Sequence, residues 1–250
     1  MINYCLIISA AIIPGYLWIE NTSSIMDHVK KISGILSNKH KKILKRNFPF
    51  YSKLSSSLLV HFEQKVEYYF YKKLFEDNLG NKVDDKKKLL ISAYAAQITF
   101  GLKDFYYLKL KKIVVYEDRF FSDKFQKRTS WEILENGTIL IAWKIFYSEL
   151  RSNRSSHPIG LMVMANALKK EKFTFLREQI YYKNASTYFS NSKTGRFNDY
   201  SMFFGNNDVK NHEDFFIACL VHYFSKPMEL KNRYPDLFKK LDNSLFQKVS

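Results

Sequence analysis

The side chains best suited to metal binding or nucleophilic catalysis are few and scattered along this 250-residue chain. The sequence holds six histidines and two cysteines, namely His28, His40, His61, His157, His212, His222, Cys5 and Cys219. No two histidines stand four residues apart, so no helix face can present the paired imidazoles of an HExxH zinc motif. Cys5 lies in an apolar segment and Cys219 in an apolar helical pattern, and neither forms a recognisable nucleophile–base pattern with a histidine.

The segment His212-Glu213-Asp214-Phe215-Phe216 comes nearest to a metal-binding helix. Its first two residues match HExxH, but Phe216 occupies the position of the second histidine. We expect Phe215 and Phe216 to pack in the core, and His212 to cap a helix or face solvent. His157 directly precedes Pro158, which favours a place at a helix start over a role as a ligand.

Composition indicates a globular protein that is long enough to bury a sizeable core. Apolar residues make up 46% of the chain, and it has only 8 Gly and 5 Pro, which excludes disordered and collagen-like chains. Forty basic residues against 24 acidic ones give a net charge of +16. Most of the basic residues are lysines, whereas nucleic-acid readers favour arginine, so nucleic-acid binding is the weaker interpretation of this charge.

Residues 2–19 carry no charge, and as a helix they would span about 27 Å at ~1.5 Å per residue, just enough for a bilayer core. This predicts an uncleaved membrane anchor over residues 1–20. A cleaved signal peptide, with an exported protein, is the first alternative, although no basic residue precedes the apolar run. A buried or surface helix is the second.

A basic segment over residues 21–46 follows the predicted anchor. By the positive-inside tendency it places the C-terminal body in the cytoplasm, where its cations would face an anionic leaflet. A solvated helical linker is the alternative interpretation. The basic residues in question are Lys30, Lys31, Lys39, Lys41, Lys42, Lys45 and Arg46.

Hydrophobic periodicity and turn residues predict many helices and few strands in the body, residues 47–250, and therefore an α+β fold with a small sheet. Asp84 or Asp85 is expected to cap the second helix and Gly101 to end it. The predicted helices cover 54–75, 85–101, 144–150, 159–170, 172–190, 212–225 and 234–246; the predicted strands are Ile113–Tyr116 and Thr138–Trp143; and 191–210 is predicted to be a loop.

Several of these segments together resemble the glucose-regulated zinc metallopeptidase family (Mlc titration factor A-like). Its YxxL helix, LIAAxAxxLxFG helix and IxxYP strand correspond to Tyr51–Leu54, Leu90–Gly101 and Ile113–Tyr116, with Glu117 in place of the proline. Residues 137–146 resemble the strand before the family's catalytic helix, and 214–237 resemble its C-terminal motif. The likeness covers residues 46–247 in consistent order, and it implies a mostly helical, zincin-like domain.

The resemblance fails at the residues that bind zinc. The family's GLHEFAHAL aligns with Gly160–Leu168, which places Met162 and Asn166 at the two histidine positions and Val163 at the position of the general base. Asp214 falls at the third-ligand position, normally a glutamate. A thioether and an amide are poor Zn²⁺ ligands, and valine cannot carry a proton. We therefore expect no zinc, and we expect the former zinc pocket to be filled as core.

The sequence thus predicts a membrane-anchored, non-catalytic relative of a peptidase family that acts through protein binding. Its partner is unknown, and by family analogy it would be a regulator, because the enterobacterial type binds a transcriptional repressor of sugar uptake. One alternative is an active peptidase with a non-standard metal site. The other is a basic module that binds anionic lipid or nucleic acid.

Overall fold

The computed structural model describes residues 36–102, 106–152, 158–171 and 211–246. The predicted anchor at 2–19, Lys30, Lys31, His157, the predicted helix at 172–190 and the predicted loop at 191–210 lie outside these ranges. Within them, no helix combines the length and the apolarity needed to cross a bilayer.

Eight α-helices and two short 3-10 turns make up most of the described chain. The 3-10 turns are Tyr51–Lys53 and Leu168–Lys170. The α-helices are α1 (Asn38–Asn47), α2 (Ser56–Lys72), α3 (Asp85–Ile98), α4 (Trp143–Ser152), α5 (Ile159–Ala167), α6 (His212–Ser225), α7 (Pro227–Arg233) and α8 (Pro235–Phe246).

Six strands form two small sheets in the described ranges. They are β1 (Leu74–Asp77), β2 (Lys112–Tyr116), β3 (Phe120–Ser122), β4 (Lys127–Thr129), β5 (Trp131–Ile133) and β6 (Thr138–Ala142). The main sheet has the order β1-β2-β6-β5, with the first three strands parallel and β5 antiparallel to β6. Strands β3 and β4 form a separate antiparallel pair.

The mixed α+β fold with a small sheet is confirmed, and most predicted elements fall within two or three residues of the observed ones. Asp84 is the N-cap of α3, and its carboxylate accepts from the amide of Lys87 at 3.0 Å. The prediction that Gly101 ends this helix is wrong. The helix ends at Ile98, and the hydroxyl of Thr99 turns back to donate to the carbonyl of Ala95 at 2.8 Å.

Four strands and the helix α7 were not predicted from the sequence. β1 was assigned to the preceding helix because Leu74 continues its apolar stripe, but Leu74 is exposed and Phe75 is buried where β1 pairs with β2. β3, β4 and β5 have three residues each, too few for an alternating pattern to stand out.

Helix α1 extends across the predicted boundary between residues 46 and 47. Ser37 caps it by accepting from the amide of His40, and the fully buried Leu44 joins the core. The helix packs against α3. The basic stretch before residue 47 is therefore in part an amphipathic helix that packs on the body.

Helix α5 lies at the centre of the described structure and contacts α3, α4, α6 and strand β5. Seven of its nine residues are buried. It approaches α3 closely at Gly160, where an added Cβ would lie 2.2 Å from the ring of Tyr94. Tyr94 is itself held between the rings of Phe48 and Phe146, so it has little room to move.

This close approach gives a prediction about stability. In an ordinary helix interior, Gly160→Ala would raise the helix propensity, but here the methyl group would overlap a confined ring. We expect the free energy of unfolding in urea to fall by about 1–3 kcal/mol. Combining the change with Tyr94→Leu should cost less than the sum of the two single changes. A variant more stable than the parent would contradict the packing described here.

Candidate functional site

The residues aligned with the family's zinc motif lie on two packed helices. Met162, Val163 and Asn166 belong to α5, and Asp214 belongs to α6, which packs against α5. We call these four residues the motif positions. The fold therefore packs together two helices that are about fifty positions apart in the sequence, which is compatible with the alignment of the motif.

A neighbouring carboxylate fixes the start of α5. The amide of Ile159 donates to the Glu149 carboxylate of α4 at 2.7 Å, and Pro158 before it offers no side-chain cap. A negative charge at this end of a helix is favourable, because the first amide groups lack partners within the helix. Burial raises the pKa of Glu149 above its ordinary value despite this hydrogen bond.

The side chains at the α5 motif positions are turned to packing and to internal hydrogen bonding. Val163 is fully buried, and Met162 packs against the core while remaining partly exposed. The amide nitrogen of Asn166 donates to the backbone carbonyl of Met162 at 2.9 Å. The expectation of a filled pocket therefore fits Val163 better than Met162, whose side chain keeps some access to solvent.

The carboxylate at the third-ligand position forms an ion pair with a lysine. Asp214 lies in the first turn of α6, which Asn211 caps by accepting from the amide of Asp214 at 2.9 Å. The ammonium of Lys169, in the 3-10 turn after α5, contacts the Asp214 carboxylate directly. The two side chains are 34% and 15% exposed, so solvent screens this pair only in part.

The motif positions do not fit a zinc ion. A thioether, an aliphatic chain, an amide bonded to its own helix and a carboxylate neutralised by an ammonium replace the imidazoles and the free carboxylate that Zn²⁺ prefers. In the part of the chain that the structure describes, no three His, Cys, Asp or Glu side chains lie close enough to hold a metal ion.

The other residues singled out from the sequence near Asp214 all lie on α6. Phe215 and Phe216 are fully buried, as predicted. Of the two alternatives expected for His212, the cap is excluded, because Asn211 caps the helix and His212 is its first residue; the exposure of His212 to solvent stays a prediction. Cys219 is fully buried, and burial raises the pKa of its thiol well above the ordinary value, which disfavours a reactive thiolate.

The fold is thus that of a mixed α+β protein in which two packed helices carry the positions of a metallopeptidase motif. A family model described as glucose-regulated metallo-peptidase M90 matches residues 26–246. The chain therefore belongs to this family, and the resemblance found in the sequence is confirmed. Comparison with curated protein sequences gives no significant match.

A lysine and a glutamate lie near one another beyond the end of α5, and nothing in the sequence indicates it. The Glu171 carboxylate accepts from the amide of Lys109 at 2.8 Å, which ties the end of α5 to the segment before β2. The Lys73 ammonium donates to the carbonyl of Tyr107. Burial lowers the pKa of Lys73 to about 8, although the Glu171 charge acts in the opposite direction, and burial raises the pKa of Glu171. No spacing motif links these residues, so only the fold reveals them.

The lowered pKa of Lys73 predicts how stability depends on pH. Between about pH 8 and its unfolded pKa near 10.5, the unfolded lysine keeps its proton while the folded one has lost it. Stability therefore rises with pH in this window. Compared with Lys73→Met, the parent should gain up to about 2 kcal/mol in free energy of unfolding between pH 7.5 and 9.5. Parallel pH profiles for the two proteins would contradict this account.

The ion pair at Asp214 allows a test of the aligned positions. In the variant Met162→His, Asn166→His and Lys169→Ala, two imidazoles share one helix face and the carboxylate is released from its lysine. We expect calorimetric titration with zinc to show binding, and we expect roughly tenfold weaker binding when Lys169 is retained. Val163 is left unchanged, because a glutamate there would enter the core.

The matched control replaces Met162 and Asn166 with glutamine and also carries Lys169→Ala. It has the same lysine removed and polar side chains at both positions, but it lacks imidazoles. If the histidine variant binds zinc no better than this control, residues 162, 166 and 214 do not converge as the alignment requires.

Proposed function

We propose that this protein is a non-catalytic member of its metallopeptidase family and acts by binding another protein. One observation carries the proposal: the carboxylate at the third-ligand position is held by the ammonium of Lys169. The Lys169 ammonium thus lies beside Asp214, the one motif position whose side chain could still serve as a metal ligand.

The chemistry of peptide hydrolysis supports the same conclusion. A zinc peptidase needs a metal to polarise the carbonyl and bind water, and a base to take a proton from that water. Val163 at the position of the base is an aliphatic side chain with no contact to solvent. Substituting it alone could not restore activity, because a carboxylate there would be buried away from the site.

We propose that the fold is zincin-like. Support comes from the main sheet, whose edge strand β5 runs antiparallel to its neighbour and contacts α5. An antiparallel strand along the edge of the sheet can pair with an extended peptide through its backbone groups. This provides a physical way to bind a protein segment without cleaving it. By family analogy the partner would be a regulator.

We further propose that residues 2–19 anchor the protein in a membrane, with the body on the cytoplasmic side. The support is their lack of charge over eighteen positions and the basic residues that follow. Carbonate extraction of membranes from expressing cells should leave the full chain in the pellet, and deletion of residues 2–19 should release it. Release of the full chain would contradict the anchor.

The loss of catalysis is tested on the full purified chain by metal analysis and by peptide hydrolysis. We expect substoichiometric zinc and no hydrolysis that a chelator abolishes. The matched measurement is the same hydrolysis assay on Asp214→Asn, which removes the last carboxylate of the motif. Stoichiometric zinc, or chelator-sensitive hydrolysis that Asp214→Asn abolishes, would overturn the proposal and favour an active peptidase with a non-standard site.

A further inference from the structure

Helices α1, α3 and α4 line an open, concave cavity of about 860 Å³. Among the residues that the structure describes, five cationic side chains and no carboxylate line it; the cations are Lys39, Lys42, Arg46, Lys86 and Arg151. A cavity of this volume matches the size of small-molecule sites in proteins. Its charge defines the class of ligand that could bind. Positive charges clustered on a concave surface attract anions, and a bound anion would offset the repulsion among the cations.

The cations from α1 occupy one face of that helix. Lys39, Lys42 and Arg46 follow each other at intervals of three and four residues, which places them in one stripe. Lys41, between them in the sequence, turns away and pairs with the Glu63 carboxylate at 2.8 Å. Lys45 does not line the cavity. The basic segment is thus sorted by helix geometry into cations that face the cavity and cations that do not.

The cavity cations from α1 and α4 are unpaired within the described residues. Lys39, Lys42, Arg46 and Arg151 form no ion pair with any carboxylate described in the structure. Elsewhere on the surface, lysines such as Lys87, Lys112 and Lys144 each lie beside a carboxylate. Within the described residues, the four cavity cations thus lack the neighbouring carboxylate that these other lysines have.

The wall of the cavity is held in place by a short hydrogen-bonded chain. The Lys86 ammonium donates to the hydroxyl of Tyr147 at 2.7 Å, and that hydroxyl donates to the side-chain oxygen of Asn47 at 3.1 Å. Lys86 also lies 4.2 Å from the centre of the Tyr147 ring. These contacts connect α1, α3 and α4 at the cavity and thereby hold the three helices that carry its cations in position.

From this we infer that the cavity binds a ligand that carries several phosphate groups. Clustered phosphate oxygens offer enough acceptors and charge for five cations, and both lysine and arginine are suited to phosphate. A free polyphosphate and the phosphorylated headgroup of a lipid share this chemistry. A concave site between helices favours such compact ligands over a long nucleic-acid strand, which would need an extended groove or stripe of charge.

The inference is tested on the full chain with two probes, inorganic tripolyphosphate and vesicles of phosphatidylcholine mixed with cardiolipin, whose headgroup carries two phosphates. Vesicles of phosphatidylcholine alone measure the association that the apolar segment 2–19 causes by itself, and this background is subtracted. The cavity variant is Lys39→Gln with Lys42→Gln. The matched control is Lys45→Gln with Lys53→Gln, which removes the same two charges from exposed positions outside the cavity. Thermal unfolding of both variants checks that each retains the parent fold.

We expect the cavity variant to bind at least one probe roughly tenfold more weakly than the parent, and the control to change by less than about twofold. Binding to tripolyphosphate alone identifies a soluble ligand, and binding to the mixed vesicles alone identifies a headgroup. If neither probe binds, or if both variants lose binding equally, the inference is overturned. It is also overturned if a single-stranded oligonucleotide binds while both probes fail.

Discussion

The close packing of α5 is the constraint on which the rest of the described structure depends. The helix is surrounded by α3, α4, α6 and β5, and most of its residues are buried. Gly160 permits contact with Tyr94, the hydroxyl of Tyr107 donates to the carbonyl of Met164 at 2.6 Å, and Glu149 holds the first amide. Each of these contacts joins α5 to a different part of the chain, so a change in this helix affects all of them.

The same packing accounts for the way the side chains at the motif positions are accommodated in the fold. A buried helix that carries metal ligands has polar groups that must be satisfied, and an unpaired one costs free energy. Here the valine adds to the core, the asparagine bonds to its own helix, and the aspartate is paired with Lys169. These three side chains are thus accommodated by contacts within the chain, and the two helices pack together.

The net charge of +16 also acquires a structural meaning. Lysines beside carboxylates, such as Lys41 at Glu63 and Lys112 at Glu76, neutralise charge locally. The cations around the cavity do not, and their positions on α1 follow from helix geometry. The excess of positive charge is therefore uneven, and five cations of the described structure line the concave surface between α1, α3 and α4.

The sequence by itself determined the family, the order of most helices, and the strands β2 and β6. These depend on periodicity, caps and motif spacing, which are local properties of the chain. It could not determine β1 or the three-residue strands, because pairing partners create them. The tertiary structure alone decided that Lys169 meets Asp214, that Lys73 lies near Glu171, and that Arg151 joins the cations of α1. Those encounters join residues far apart in sequence, and only the packing of α5 and its neighbours brings them within reach.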